Sequence, residues 1–334
     1  MMRLPKADYY APSSLSEACS ILAEHGEEAK VLGGGTDLLV ACKLRNVNPA
    51  LLVSLSSISE LKGIHFNEGE YLRIGAMTSL HDLRCDSLIS DTYPALSQAA
   101  ALVGTTQLQY MGTIGGNLCL NTRCIYYNQS ESWRRSRDVC FKMGGHLCHV
   151  VPKGKKCYAV FSGDTVPALI ALDAEVKLVS NTEERWVSVS KLYTGDGKEP
   201  LALKSGELVS EIRLPQPTKS QSSTYLKYRT RESIDFPMAG VAVRMDTSDE
   251  GICTGCRVVL NAVDCGPTEV REARELLEGK APTSDLIQEV AAEAEKKAHP
   301  VANTPGSTPA YRRKLAGILT HRALHQVANR LGMV

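Results

Sequence analysis

The chain has 334 residues, and its 38 lysines and arginines nearly balance 37 aspartates and glutamates, for a net charge of +1. This balance argues against nucleic acid as a partner, because phosphate binding needs a one-sided excess of basic side chains. No stretch approaches the roughly 20 apolar residues that cross a bilayer, and charges and prolines interrupt the N-terminus. We therefore expect a cytoplasmic protein without membrane insertion.

The N-terminal elements lead into a glycine-rich turn. Residues 14–25 have the apolar spacing of a helix, and a short strand ends at Leu32. Gly33 to Gly35 follow, and Thr36 and Asp37 begin another helix. Glycines let a ligand approach the backbone, and free amides at the start of a helix attract phosphate. Three consecutive glycines are nevertheless as typical of a tight turn as of an anion site.

A second glycine turn, Gly112 to Asn117, follows a stretch of short elements. Residues 51–85 predict short strands joined by turns and then a helix from Ser79, and residues 93–103 predict a further helix. Each glycine turn stands beside a Thr or Asn that can bond a phosphate oxygen. The two turns could therefore close on a diphosphate from both sides, which makes the pair more informative than either member.

The C-terminal part predicts an antiparallel sheet followed by helices. Residues 215–223 are rich in proline, serine and threonine, which indicates a linker and a domain boundary. Beyond it come three strand patterns and three helical patterns, at residues 224–230, 238–246 and 252–263 and at residues 268–277, 284–296 and 308–331. We expect one domain at residues 1–216, divided near residue 55, and a second at residues 217–334.

Four of the eleven cysteines lie in one loop at about residues 122–161, with the spacing C-x15-C-x7-C-x8-C. In a reducing compartment, Cys124, Cys140, Cys148 and Cys157 indicate metal ligation or buried thiols rather than disulfides. Four thiolates can bind a tetrahedral zinc ion or an iron–sulfur cluster. The paired knuckles of structural zinc sites are absent from this loop, whereas a [4Fe-4S] cluster tolerates wide gaps. From spacing alone, a cluster, zinc and incidental cysteines all remain open.

The rest of the loop is compatible with electron transfer, and an insertion of this length is unusual unless it is functional. His146 and His149 could serve a zinc site, and outside the loop Cys253 and Cys256 predict buried free thiols. The loop's aromatic residues could shield a cluster from water and its arginines could offset the negative charge: Tyr126, Tyr127, Trp133, Phe141, Arg134, Arg135 and Arg137.

Five motifs in order resemble the FAD-binding medium (beta) subunit of the molybdenum hydroxylase, or xanthine dehydrogenase, family. They are VLGGGTDLL from Val31, GTIGGNLC from Gly112, GDTVPALIALDA from Gly163, GELVSEIRLP from Gly206 and YLKYRTRESIDFPMAGVAV from Tyr225. The insertion between the second and third motifs is similar to that of the beta subunit of 4-hydroxybenzoyl-CoA reductase, which carries a [4Fe-4S] cluster in addition to FAD.

The resemblance implies an α+β protein with a two-part FAD-binding domain of the vanillyl-alcohol-oxidase (PCMH) type and a smaller C-terminal α+β domain with an antiparallel sheet. It implies that the four loop cysteines hold the cluster. Tyr126, Arg229 and Phe236 are candidates for the flavin face, and no catalytic residue is assigned. The residues implied to bind FAD are Leu32, Gly33, Gly34, Gly35, Thr36, Asp37, Thr113, Gly115, Gly116, Asn117, Asp164 and Lys227.

The resemblance also implies a larger complex, a dimer of heterotrimers, whose large subunit holds molybdopterin and whose small subunit holds two [2Fe-2S] centres. Electrons from a low-potential donor such as ferredoxin would pass through the cluster and FAD towards molybdenum, for the reductive dehydroxylation of 4-hydroxybenzoyl-CoA. One alternative is the FAD subunit of another molybdenum hydroxylase, with outward electron flow. A zinc-stabilised, non-catalytic binding protein is the alternative from a different class.

Overall fold

In the computed structural model, which describes residues 3–66 and 71–333, twelve strands form three sheets. The N-terminal elements are β1 (Asp8–Tyr10), α1 (Leu15–His25), β2 (Ala29–Leu32), α2 (Leu38–Lys43) and β3 (Leu51–Ser54). The strands pair in parallel in the order β1-β3-β2. The predicted helix at residues 14–25 is confirmed, because the Ser14 side chain caps α1 by accepting the amide of Glu17.

The second sheet is antiparallel, in the order β4-β5-β8-β6-β7. Its strands are β4 (Ile64–Phe66), β5 (Leu72–Gly75), β6 (Glu175–Val179), β7 (Glu184–Ser188) and β8 (Leu208–Leu214). Between β5 and β6 lie α3 (Leu80–Cys85), α4 (Ser87–Thr92), α5 (Pro94–Ala101), α6 (Thr106–Met111), α7 (Ile114–Leu118), α8 (Glu131–Arg135) and α9 (Thr165–Ala171). The sheet shares one apolar core with α3, α4, α5, α7 and α9, and α9 is buried along its whole length.

The third sheet is antiparallel in the order β12-β11-β10-β9, as the alternating pattern predicts. Its strands are β9 (Gln221–Tyr228), β10 (Ala239–Thr247), β11 (Cys253–Asn261) and β12 (Thr268–Glu269). The helices α10 (Glu272–Leu277), α11 (Ser284–Lys297) and α12 (Pro309–Arg330) pack on one face around a separate core. This architecture confirms the expected α+β fold, while the boundary between residues 216 and 217 stays a prediction.

Two segments differ from their predictions. The predicted linker extends too far, because β9 begins at Gln221 and the side chain of Thr224 is buried against Gln98. The predicted helix at residues 268–277 begins later, because Thr268 and Glu269 pair with β11 before α10 starts. The turn expected at residues 67–70 lies outside the described residues. Among the helices described, none combines the length and apolarity that crossing a bilayer requires.

A buried polar cluster joins α9 to the third sheet. Asp164, just before α9, accepts hydrogen bonds from Lys227 Nζ at 2.8 Å and from the Tyr225 hydroxyl at 2.6 Å. The side chains of Asp164 and Lys227 are only 5% and 1% exposed. Burial raises the pKa of Asp164, and the ammonium of Lys227 opposes that rise. Because a charge removed from water needs its partner, this pair constrains how the two halves of the molecule meet.

Lys227→Met should lower the free energy of unfolding by about 3–5 kcal/mol, because the Asp164 carboxylate stays buried without its counter-charge. The double variant Lys227→Met/Asp164→Asn leaves no unpaired charge buried and should recover most of the lost free energy of unfolding. Urea unfolding of the purified chain measures both. Lys296→Gln, which breaks an exposed pair with Glu293, is the control and should cost less than about 1 kcal/mol. A double variant no more stable than Lys227→Met would contradict this interpretation.

Candidate functional site

A cleft with a volume of about 400 Å³, here called the glycine cleft, lies where the two glycine turns meet. The turn after β2 and the turn that begins α7 both line it. Thr113 caps α7, its Oγ1 accepting the amide of Gly116 at 3.1 Å. Gly35 and Gly112 are 77 residues apart in the sequence. Their two turns nevertheless line the same cleft and expose main chain to it. Such a surface suits a phosphate group.

Glycine is required where the two turns pack closely on neighbouring backbone. A Cβ on Gly34 would lie 1.6 Å from the carbonyl oxygen of Met111, and one on Gly115 would lie 2.8 Å from that of Ala76. Gly35 has a φ of +73°, a left-handed conformation that other residues rarely adopt. These contacts leave no room for a side chain at Gly34 or Gly115.

The structure brings most of the predicted FAD residues to this cleft. The lining includes Gly33, Gly34, Gly35, Thr36, Asp37, Thr113, Gly115, Gly116, Asn117 and Asp164. Leu32 and Lys227 are outside this lining, and Lys227 lies behind Asp164. The Oδ1 atom of Asn117 accepts hydrogen bonds from the amide and hydroxyl of Thr165, at 3.0 and 2.7 Å. That oxygen therefore joins α7 to α9.

Phe236, in the loop between β9 and β10, lines the glycine cleft. The guanidinium of Arg123 lies 4.2 Å from its ring centroid, and Arg123 also pairs with Asp37 at 2.5 Å. The other two candidates for the flavin face lie elsewhere. Tyr126 stacks on His149 with ring centroids 5.1 Å apart, and Arg229 donates to the carbonyl of Leu102.

Arg123 and Val160 form a neck at the base of the cysteine-bearing insertion. The amide of each donates to the carbonyl of the other, at 2.8 and 2.7 Å. Asn121 immediately before the insertion, Arg123 at the neck and Ser162 immediately after the insertion all line the glycine cleft. The insertion therefore leaves and re-enters the fold at one point beside the cleft.

The four predicted ligand cysteines line one cavity beyond the neck, here called the thiol cavity: Cys124, Cys140, Cys148 and Cys157. All eleven cysteines of the chain are free, so the four thiols are available as ligands. The buried thiols predicted at Cys253 and Cys256 are confirmed.

Three of the four aromatic residues predicted to shield a cluster line the thiol cavity. Tyr126, Tyr127 and Phe141 line the thiol cavity, together with Tyr158. Trp133 packs on Tyr126 with ring centroids 6.0 Å apart and is outside the lining. Aromatic rings therefore form part of the cavity wall, where they limit the access of water to the sulfur atoms.

Backbone amides lie close to three of the sulfur atoms and favour their thiolate forms. Burial raises the pKa of Cys124, and it raises the pKa of Cys157 to about 11. The amides lower both pKa values because they stabilise the thiolate, which is the form that binds metal. The amides of Tyr126 and Tyr127 act on Cys124 and that of Ala159 on Cys157, and the Val151 amide donates a hydrogen bond to Cys148 Sγ at 3.4 Å.

The thiol cavity does not resemble a site for one metal ion. Within residues 3–66 and 71–333, no three His, Cys, Asp or Glu side chains converge as single-ion ligands. His149 lines the cavity, but its Nε2 lies 2.9 Å from the carbonyl oxygen of Asp138, and His146 is exposed outside the lining. Four thiols around a shared space are a donor set for a cluster or for a zinc ion.

Lys142 also lines the thiol cavity, and the sequence prediction missed it. Its Nζ donates to Asn121 Oδ1 at 2.8 Å, to Thr122 Oγ1 at 2.6 Å and to the carbonyl of Gly197 at 2.5 Å. Burial lowers the pKa of Lys142 to about 8, and the neighbouring cysteine sulfurs oppose that change. The sequence offers no signal that separates Lys142 from the other lysines of the insertion.

The three arginines predicted to offset the charge of the site do not line the thiol cavity. Arg134 is buried and donates to the carbonyls of Leu44 and Arg45, so it anchors the insertion to the loop after α2. Arg135 pairs with Glu131 at the surface, and Arg137 stacks over Trp133. Among the described residues that line the thiol cavity, Lys142 is the one with a basic side chain of the lysine or arginine type.

Two family models match the chain in succession. Residues 5–217 match the FAD binding domain in molybdopterin dehydrogenase. Residues 224–327 match the CO dehydrogenase flavoprotein C-terminal domain. The first match alone covers more than half of the chain.

Similar proteins support the same assignment over nearly the whole length. The carbon monoxide dehydrogenase medium chain of Hydrogenophaga pseudoflava is 30% identical over 324 residues, 96% of each chain. The aldehyde oxidoreductase FAD-binding subunit PaoB of Escherichia coli is 29% identical over 94% of this chain and 98% of its own. A solved structure of carbon monoxide dehydrogenase from Hydrogenophaga pseudoflava superposes with a TM-score of 0.81 at 28% identity, covering 98% of this chain and 99% of its own. The chain therefore belongs to the family of FAD-binding medium subunits of the molybdenum hydroxylases.

Proposed function

We propose that this chain binds FAD in the glycine cleft and serves as the flavin subunit of a molybdenum hydroxylase complex. The observation that carries the proposal is the meeting of two glycine turns over one cleft, in a chain of this family. Residues 33–37 and 112–117 would hold the diphosphate through main-chain amides and the hydroxyls of Thr36 and Thr113. Leu32 and Lys227 would support these turns from outside the cleft lining. Asp164 would lie nearer the adenosine or flavin portion.

We also propose that Cys124, Cys140, Cys148 and Cys157 hold a [4Fe-4S] cluster. The donor set fits, because four thiols line one cavity, backbone amides stabilise their thiolates, and aromatic rings limit solvent. When bound, FAD exchanges electrons singly or in pairs and a cluster exchanges them one at a time. The chain's own residues supply position, shielding and charge, and we assign none of them a bond-making role.

The similar proteins support the general assignment more strongly than the specific likeness to 4-hydroxybenzoyl-CoA reductase. Those compared above are named for carbon monoxide and aldehyde, which favours the flavin subunit of another molybdenum hydroxylase with outward electron flow. The thiol cavity favours the reductase as the second candidate, with electrons arriving from a ferredoxin-like donor. In both cases we propose a large molybdopterin subunit and a small [2Fe-2S] subunit as partners, in a dimer of heterotrimers. The family match leaves a zinc-stabilised, non-catalytic binding protein without support.

Gly116→Ala should weaken FAD binding, because the exposed Gly116 lines the cleft and an added Cβ would lie 3.0 Å from Thr113 Oγ1. A crowding cost of about 1–3 kcal/mol corresponds to a roughly 5- to 150-fold rise in Kd. Fluorescence titration of the FAD-free chain measures this change.

The matched control for that titration is Gly251→Ala, at a turn where φ is +77° and the space around the Cβ is open. It should cost about 1 kcal/mol of stability and leave the Kd for FAD unchanged. Equal Kd values for Gly116→Ala and the unaltered chain would remove the glycine cleft as the FAD site.

Anaerobic purification of the complex followed by metal and flavin assays tests the cluster. After subtraction of the iron carried by the [2Fe-2S] subunit, we expect about four irons and one FAD for each copy of this chain. Zinc in place of that iron would overturn the cluster, and absence of FAD would overturn the flavin assignment.

Cys140→Ser should lose the iron and the broad visible absorption of the thiol cavity, because one of the four ligands is removed. FAD should remain, since the neck between Arg123 and Val160 separates the two sites. Cys85→Ser, at an exposed thiol on α3, is the control and should keep both groups. Loss of FAD together with the iron would show that the insertion is not independent of the cleft.

A further inference from the structure

Lys142 connects the thiol cavity to the glycine cleft. Its side chain lines the cavity that holds the four thiols. Its Nζ donates at 2.8 Å to Oδ1 of Asn121, a residue that lines the glycine cleft. The same ammonium is held by Thr122 Oγ1 and by the carbonyl of Gly197. The Lys142 ammonium therefore contacts residues of both the thiol cavity and the glycine cleft.

The hydrogen-bond partners of this ammonium carry no formal charge. The three oxygens that accept its hydrogen bonds belong to neutral groups, and the ring of Tyr127 lies 5.1 Å from Nζ. Asp196 and three of the cysteine sulfurs are the groups whose charge acts on it. A cation held in partly buried surroundings by neutral dipoles attracts negative charge that gathers nearby, more strongly than it would in water.

We propose that Lys142 is a positioning residue whose ammonium raises the reduction potential of the iron–sulfur centre in the thiol cavity, and that Asn121 holds it in place from the glycine cleft. The inference rests on the proposed function, because it assumes the cluster. A cluster bound by four thiolates carries negative charge, and one added electron makes that charge larger. The cation stabilises the reduced form more than the oxidised form, which is the direction that raises a potential.

Lys142→Gln tests this role because it keeps hydrogen-bonding capacity and removes the charge. In the purified complex, a dithionite titration supplies one electron to the cluster with no bond broken, and electron paramagnetic resonance follows the reduced cluster. We expect the equilibrium constant for reduction to fall at least tenfold, equivalent to a shift of about −59 mV for one electron. Lys153→Gln, at an exposed lysine of the same insertion, should change it less than about twofold because water screens that charge.

Iron and FAD are assayed in every sample first, so that the two levels of the proposal can fail separately. Unaltered protein without cluster iron overturns the proposed function. A fully loaded Lys142→Gln complex with an unchanged potential overturns the role of Lys142 alone.

If Lys142→Gln loses its iron, Asn121→Asp decides the question. This variant keeps the acceptor of the Lys142 hydrogen bond and places a carboxylate beside the ammonium. A lower cluster potential in Asn121→Asp supports the proposal, because the carboxylate cancels part of the positive charge. An unchanged potential in that variant contradicts it.

Discussion

The backbone pairing of Arg123 with Val160 is the constraint on which the arrangement of the two sites depends. It closes the insertion at its base, so the helices before and after it pack together in one core. Residues on one side of this neck line the glycine cleft, and Cys124 on the other side lines the thiol cavity. The glycine cleft and the thiol cavity are therefore adjacent along the chain, and the same backbone pairing holds both in place.

The glycine cleft and the thiol cavity offer different chemical groups to a ligand. The two turns of the glycine cleft present main chain, because Gly34 and Gly115 allow no side chain where backbones touch. The thiol cavity is made of side chains, with sulfur atoms that receive amide hydrogen bonds and a lysine that supplies positive charge. A flavin diphosphate needs close backbone approach, whereas a cluster needs thiolates and charge balance. The protein contributes position and electrostatics, and the cofactors would contribute the electron chemistry.

The sequence predicted what local patterns encode. The glycine turns, the four cysteines and the antiparallel C-terminal sheet all carry short-range signals, and the structure brings the members of each set together. Side-chain directions depend on distant contacts and could not be predicted. Arg134 turns away towards the carbonyls of Leu44 and Arg45, and Lys142 turns inward to Asn121. Both are basic residues of one insertion, and tertiary contacts alone distinguish them.

Anomalous diffraction from crystals of the anaerobically purified complex, recorded on both sides of the iron absorption edge, tests the central claim most directly. We expect iron density inside the thiol cavity, bonded to the sulfur atoms of Cys124, Cys140, Cys148 and Cys157, and FAD in the glycine cleft across the neck. Anomalous density at the zinc edge, a disulfide between any of these cysteines, or FAD bound outside the cleft would contradict the claim.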